Sequence, residues 1–210
     1  SSGGIYKINT SPQYISFKGG PNRDDDDAEL AGLFYGDSKS NVYDVAASRS
    51  VNLDISHDLG NTVEFWYKVG ASSDLLSQNT CVFDMWNGED LTSDSYGRMM
   101  VEVLGTASHP AGTIYPTSAS FSVSYLSGST GAQRINVGSG SAMPANWAIT
   151  DWHHYAFVFK SNATDGDTKI KFYVDGELIE ETAEGTTAIT SSVDQGFRAN
   201  LGAYRNAPIV

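Results

Sequence analysis

The alternation of apolar and polar positions is clearest over residues 151–181, which read DWHHYAFVFK SNATDGD TKIKFYVDGELIEE. Residues 152–159 are apolar at both alternating sets of positions, as a strand covered on both sides must be. Residues 161–167 form a polar turn cluster. Two further strands, 168–174 and 177–182, are joined by Asp175-Gly176, a pair that tolerates the positive φ a two-residue hairpin turn requires. Such a turn sets Val174 opposite Glu177, Tyr173 opposite Leu178, Phe172 opposite Ile179 and Lys171 opposite Glu180. Ile170, Phe172, Val174 and Ile179 then share the core face. Lys171 and Glu180 form a cross-strand ion pair on the other face, worth about 0.2–1 kcal/mol, so it helps set register more than stability.

The same pattern recurs along the chain. In 62–69, Val63, Phe65, Tyr67 and Val69 alternate with Thr62, Glu64, Trp66 and Lys68. Strands are expected at 80–86 and 98–104, on either side of an acidic, turn-rich loop at 87–96. In 119–126, Phe121, Val123 and Tyr125 face one way and Ser120, Ser122 and Ser124 the other. The Gly/Ser-rich stretch 129–141 holds a weak edge strand around Ile135 and Val137. Short strands are expected at 5–8 and 14–17, around the Ser11-Pro12 turn, and at 33–35, 42–46, 51–55 and 197–203. Strands at this spacing with turn residues between them indicate a β-sandwich or barrel. No long segment has a helical period, and no internal repeat is present.

Particular residues narrow this further. Trp152-His153-His154 opens an aromatic strand. Phe172-Tyr173-Val174-Asp175-Gly176-Glu177 and Leu201-Gly202-Ala203 follow it, and residues 61–68, NTVEFWYK, precede it with an entry strand over 43–53. Together they resemble a laminin G-like, concanavalin A-like lectin-glucanase jelly-roll domain. The resemblance implies an all-β fold, a concanavalin A-like jelly-roll β-sandwich of two antiparallel sheets. That domain would occupy 14–210, with 1–13 a linker and leading strand. Trp66 and Trp152 sit in strong strands, and since aromatics of a β-sandwich are usually core, both are expected there. In the family one more strand follows the Leu-Gly strand, whereas this chain reaches Val210 without it. The expectation is therefore an unpaired edge beside 197–203, closed by further polypeptide or by another subunit. These motifs mark structure rather than ligand.

Composition limits the function classes. The 210 residues include 13 Lys+Arg and 25 Asp+Glu, a net charge of −12. That balance opposes binding to nucleic acid and to anionic membranes, and is compatible with divalent cations and neutral glycans. Cys81 is the one cysteine, so no intrachain disulfide can form, and a small buried hydrophobe in a strand is its expected role. No apolar run approaches the roughly 18 residues of a membrane span, and no signal peptide is recognisable. The chain opens Ser-Ser-Gly-Gly without Met, which reads as a piece of a longer polypeptide.

Candidate chemistry is sparse. Of His57, His109, His153 and His154, the adjacent pair points to opposite faces of one strand and cannot chelate one metal together. No His-Glu-x-x-His, paired Cys-x-x-Cys, phosphate-binding loop or Gly-x-Ser-x-Gly is present. Bacterial glucanases of the resembled fold carry Glu-x-Asp-x-x-Glu on one strand, which sets carboxylates near the retaining separation of about 5–5.5 Å. That spacing does not occur: Glu177, Glu180 and Glu181 follow a tight turn, and Asp84, Glu89, Asp90 and Asp94 fall mainly in a loop. The chain is accordingly expected not to be an enzyme. The run GGPNRDDDDAE over 19–29 reads first as a solvated loop, since adjacent carboxylates repel and stay in water; the alternative makes calcium the candidate cofactor, because this run and the turn at 161–167 are dense in carboxylates. Asp24, Asp26, Asp165 and Asp167 are its candidate ligands. Trp86, Trp147 and, at the end of the acidic loop, Tyr96 are candidates to stack on a sugar ring. Asn9-Thr10-Ser11 and Asn162-Ala163-Thr164 match the glycosylation sequon. The expected function is a noncatalytic recognition or attachment module within a larger extracellular or virion-surface protein, with a glycan or other cell-surface ligand. The alternative is a structural assembly module that packs against neighbouring subunits and binds no sugar.

Overall fold

A computed structural model of the chain describes residues 7–10, 13–16, 33–36, 53, 55–68, 79–105, 121–138, 143–144, 147–193, 197–202 and 204. Among these residues there is no helix. The strands are β1 (Lys7–Thr10), β2 (Gln13–Ser16), β3 (Leu33–Gly36), β4 (Asn61–Tyr67), β5 (Thr80–Trp86), β6 (Gly97–Val103), β7 (Phe121–Ser127), β8 (Thr130–Val137), β9 (His153–Asn162), β10 (Asp167–Val174), β11 (Glu177–Thr182) and β12 (Arg198–Leu201). β1 and β2 pair as a ribbon, while the rest form a four-stranded sheet, β11-β10-β9-β4, and a six-stranded sheet, β3-β12-β5-β6-β7-β8. Every pairing is antiparallel. The chain passes between the two large sheets after β3, β4, β8 and β11.

The core lies between these sheets, because period-two alternation gives each one an apolar inner face. The four-stranded sheet contributes Val63, Tyr155, Phe157, Phe159, Ile170, Phe172 and Val174, and the six-stranded sheet contributes Met99, Val101, Val103, Phe121, Val123 and Tyr125. Aromatic rings join the layers: Phe121 lies 5.2 Å from Phe157 and 5.0 Å from Tyr155, and Tyr125 stacks on Phe159 at 5.0 Å. Burying each such side chain contributes about 1.5–3 kcal/mol. The Tyr125 hydroxyl donates to Asn61 Oδ1 at 2.6 Å, which satisfies its polar end inside the sandwich.

Asp175 and Gly176 occupy the two-residue turn with φ of 52° and 85°, as the hairpin pattern requires. Beyond the turn the register departs from the simple alternation. Val174 faces Glu177 and Tyr173 faces Leu178, but a bulge then sets Phe172 opposite Glu180 and Lys171 opposite Glu181. Ile179 is the extra residue, and it still packs against the core. The cross-strand ion pair is therefore Lys171–Glu181, at 3.3 Å, rather than Lys171–Glu180.

The expected edge at 197–203 is not one. β12 is paired on both sides, by β3 and β5, so its backbone groups enter ladders. Among the described residues the sheets end instead at β3, β8, β4 and β11, and β8 lies within the segment expected to hold an edge strand. The expected strand at 42–46, most of that at 51–55, and His109 lie outside the described residues. Ile55 makes an isolated antiparallel bridge with Val193.

The two strand tryptophans are not in the core. Trp66 is 65% exposed and Trp152 39%. Trp66 pairs with His154 on the outward face of the four-stranded sheet, their rings 5.5 Å apart, because the inward positions of β4 belong to Val63, Phe65 and Tyr67. His153 and His154 do point opposite ways: the His153 ring lies 6.1 Å from Tyr155, and its Nδ1 lies 2.7 Å from Asp175 Oδ2.

Candidate functional site

Polar groups collect on the outward face of the six-stranded sheet. In β5 and β6 the core takes Met85, Met99, Val101 and Val103, so the alternate residues must face away from it. Cross-strand pairing places Asp84 opposite Met100 and Asn200, Trp86 opposite Arg98, and Cys81 opposite Glu102. The next strand adds Ser122, Ser124 and Leu126 to the same face, opposite Glu102, Met100 and Arg98. This face is buried although it lies outside the main core: Asp84 is 0% exposed and Glu102 1%. Burial of charge is costly unless it is paired, so the partners of these residues decide what the face can do.

Asp84 is paired. Arg98 Nε donates to its Oδ1 at 2.9 Å and Arg98 Nη2 to its Oδ2 at 2.7 Å, a bidentate fork. Burial opposes the charge on Arg98, and the Asp84 carboxylate more than restores it, raising the guanidinium above its ordinary value. The same guanidinium sits 5.7 Å from the centre of the Trp86 ring. Trp86, Tyr96 and Leu126 form a small cluster of their own, separate from the core between the sheets.

Glu102 is only half paired. The Tyr204 hydroxyl donates to its Oε1 at 2.6 Å, while the buried Oε2 has no hydrogen-bond partner. Burial and then the Glu102 carboxylate push the Tyr204 phenol well above its usual range, so it stays protonated as a donor. Cys81 is held as a thiol by burial and then by the nearby Asp84 and Glu102 carboxylates. A buried carboxylate oxygen without a donor costs about 1–3 kcal/mol or more, so it marks a place where a donor is wanted.

Two of the three expected ring-stacking residues belong to this face. Trp86 and Tyr96 meet there, but both are buried and act as anchors. Trp86 Nε1 donates to the Glu89 carbonyl at 2.9 Å, and Asn87 pins the acidic loop by accepting from the Glu89 and Gly97 amides and donating to the Ser95 carbonyl. Trp147 lies elsewhere, 3% exposed, donating from Nε1 to the Tyr155 hydroxyl at 3.1 Å. Of the expected calcium ligands, Asp24 and Asp26 lie outside the described residues. Asp165 accepts from Asn162 Nδ2 at 2.5 Å and lies 3.3 Å from Lys169 Nζ. Asp167 carries a buried Oδ1 without a partner. No group of three or more His, Cys, Asp or Glu side chains that could hold a metal gathers among the described residues.

Asp84 belongs to β5 rather than to the acidic loop, and Glu102, Arg98 and Tyr204 did not stand out in sequence. A search for acids along one strand cannot find this face, because Asp84 and Glu102 sit on adjacent antiparallel strands. Their positions are diagonal neighbours, which places the backbone positions about 7–8 Å apart on one face. The available signal was Arg98 and Glu102, two charges four residues apart and so on one face of an otherwise apolar strand.

No family model matches the chain, and no curated protein matches it. Solved structures do. One is an endo-β-1,4-glucuronan lyase from the fungus Trichoderma reesei, 12% identical over 71% of this chain and 60% of that one, with a TM-score of 0.37. Another is a mutant of the alginate lyase Aly36B in complex with alginate tetrasaccharide, 14% identical over 73% and 62%, TM-score 0.43. A third is a β-glucanase from Bacillus licheniformis, 16% identical over 69% and 57%, TM-score 0.34. The chain thus spans less than two thirds of the length of each. Its two facing antiparallel sheets make it an all-β sandwich, and the finer laminin G-like assignment does not follow. The expectation that the chain is not an enzyme is corrected. These structures are two lyases and a glucanase, and the missing Glu-x-Asp-x-x-Glu strand does not exclude catalysis when adjacent strands bring two carboxylates to one face. At this identity the likeness concerns the fold and assigns no activity.

Proposed function

We propose that the chain binds a polysaccharide across the outward face of its six-stranded sheet. The observation that supports this reading is Glu102, 1% exposed, with Tyr204 on one carboxylate oxygen and no donor on the other. The oxygen has no surface of its own in the structure, so a saccharide, which presents many hydroxyl donors at close spacing, would reach it only as the face opens. The Asp84–Arg98 pair beside it is already neutralised, so it braces the face without demanding a counter-charge from the ligand. An extracellular setting belongs to the same proposal, because polymeric saccharides are met outside the cell. The described residues include no helix long and apolar enough to cross a membrane.

Affinity electrophoresis of the 210-residue chain through gels carrying single polysaccharides tests the reading. Retardation by at least one of them is expected, with weakened retardation in Arg98→Ala, which strips the brace from Asp84. Migration unchanged by every polysaccharide would refute it. The same mixtures, followed for new reducing ends and for the ultraviolet absorbance of unsaturated uronates, show whether binding leads to cleavage by hydrolysis or by elimination.

A further inference from the structure

Exposed aromatic rings gather on the other side of the sandwich. Of the six large apolar side chains exposed among the described residues, Trp66, Trp152 and Leu178 lie on the outward face of the four-stranded sheet. Trp66 and His154 are cross-strand partners with rings 5.5 Å apart. Trp152 precedes His154 by two residues and so shares its face, a diagonal neighbour of Trp66 with backbone positions about 7–8 Å apart. Lys68, two residues after Trp66, reaches across to it, with Nζ 5.5 Å from the centre of the Trp152 ring. Leu178 is opposite Tyr173, whose neighbours Phe172 and Val174 face the core, so it too points outward. Two tryptophans left together in water cost hydrophobic free energy, and such a cluster marks a contact surface.

We infer that this face is a saccharide-binding surface of its own, at which sugar rings stack on Trp66 and Trp152. It lies on the opposite sheet from Glu102 and does not depend on the reading given for that residue. The polar groups among the rings select the partner. Glu64 and Lys68 flank Trp66 on the same strand face, and the Glu64 side chain is 67% exposed. A protein partner that covered Trp66 would desolvate both charges, and Lys and Glu are for that reason scarce at the centre of protein interfaces. A sugar is amphipathic in the same way as the face. Its C–H groups meet the negative face of an indole, and its hydroxyls both donate and accept at the rim. Glu64 accepts from such hydroxyls and Lys68 donates to them. Glu64 Oε2 and His154 Nε2, 3.9 Å apart, are too distant to satisfy one another by a hydrogen bond. The other charges of the face stand farther along β9 and β10, away from the rings: Lys160, and the pairs Lys169–Asp165 and Lys171–Glu181, each at 3.3 Å.

Acrylamide quenching with and without a polymer reads this site, because Trp66 is the most exposed tryptophan while Trp86 and Trp147 are buried. The probes are mixed-linkage β-glucan, xylan, galactan and alginate, used on the 210-residue chain. At least one is expected to shield the tryptophan emission from acrylamide and to retard the chain in an affinity gel. In Trp66→Ala the shielding should be largely lost and the affinity should fall by about tenfold or more. Trp152→Ala should weaken binding several-fold. Trp66→Phe, which keeps an aromatic face, should retain part of both signals, and it carries the comparison if Trp66→Ala does not fold. Equal retardation of the parent and a folded Trp66 variant, with no shielding in either, would overturn the inference and leave the Glu102 reading standing. Retardation lost in Trp66→Ala but kept in Arg98→Ala would uphold the inference and remove the Glu102 reading. A parent that sediments as a dimer while Trp66→Ala is a monomer would overturn the saccharide in favour of a second copy of the chain. Retardation by none of the polymers would overturn both readings.

Discussion

Removing the guanidinium from Asp84 is the sharpest probe of the polar face. Arg98→Met keeps the length and most of the apolar stem of the side chain but deletes the charge and both hydrogen bonds. Asp84, 0% exposed, then carries its charge in a buried site without the fork that neutralised it. Breaking a buried pair from one side costs about 3–5 kcal/mol, most of it the penalty on the charge left behind. Arg98 is itself about one-fifth exposed, so its own return to water offsets little of that cost. Loss of the cation over Trp86 adds about 0.5–1 kcal/mol. In a domain of this size each kilocalorie lowers the melting temperature by about 2–4 °C, so a fall of about 7–24 °C is expected. Calorimetric melts of the parent, Arg98→Met, Asp84→Asn and the double variant form a double-mutant cycle. Because Asp84→Asn removes the stranded charge, the double variant should be more stable than Arg98→Met alone. A single Arg98→Met cost under about 1 kcal/mol, the worth of an exposed pair, would show that Arg98 is not what neutralises the Asp84 carboxylate and would remove the brace from the proposed site.

Gly176→Val should destabilise the protein by about 1 kcal/mol or more, since φ at that turn is 85° and a β-branched residue resists it; a denaturant midpoint unchanged from the parent would contradict the turn geometry. Tyr67, pushed up to about 12 by burial and then by Cys81, is favoured neutral in the fold, so its contribution is whole below the unfolded tyrosine value of about 10 and is lost as pH rises through about 12. Unfolding free energy should therefore fall across that alkaline window, and Tyr67→Phe should flatten part of the fall; an identical slope in both proteins would contradict the burial. Trp66→Ala should change stability by about 0.5 kcal/mol or less and remove the emission most accessible to acrylamide, and a loss of several kilocalories would return Trp66 to the core.

Local alternation determined where most strands lie. The expected 80–86 and 177–182 coincide with β5 and β11, and Asp175-Gly176 specified its turn, because pleat and turn chemistry act over a few residues. Alternation also placed Trp66 with Glu64 and Lys68 on the polar side of its strand, and the general tendency of strand aromatics to be core overrode a correct local signal. What the chain order could not tell was which strand lies beside which. β12 slots between β3 and β5, and a bulge at Ile179 shifts the hairpin register by one residue. Both outcomes depend on contacts far apart in sequence. The candidate site is of that kind. Asp84, Arg98, Glu102 and Tyr204 come from β5, β6 and the segment after β12, and they become neighbours only when the ladders form. Exposure of an aromatic residue was likewise decided by the second layer. Trp86 and Trp147, near loops, are enclosed by neighbouring segments, while Trp66, mid-strand, faces outward because Val63, Phe65 and Tyr67 fill the inner positions of β4.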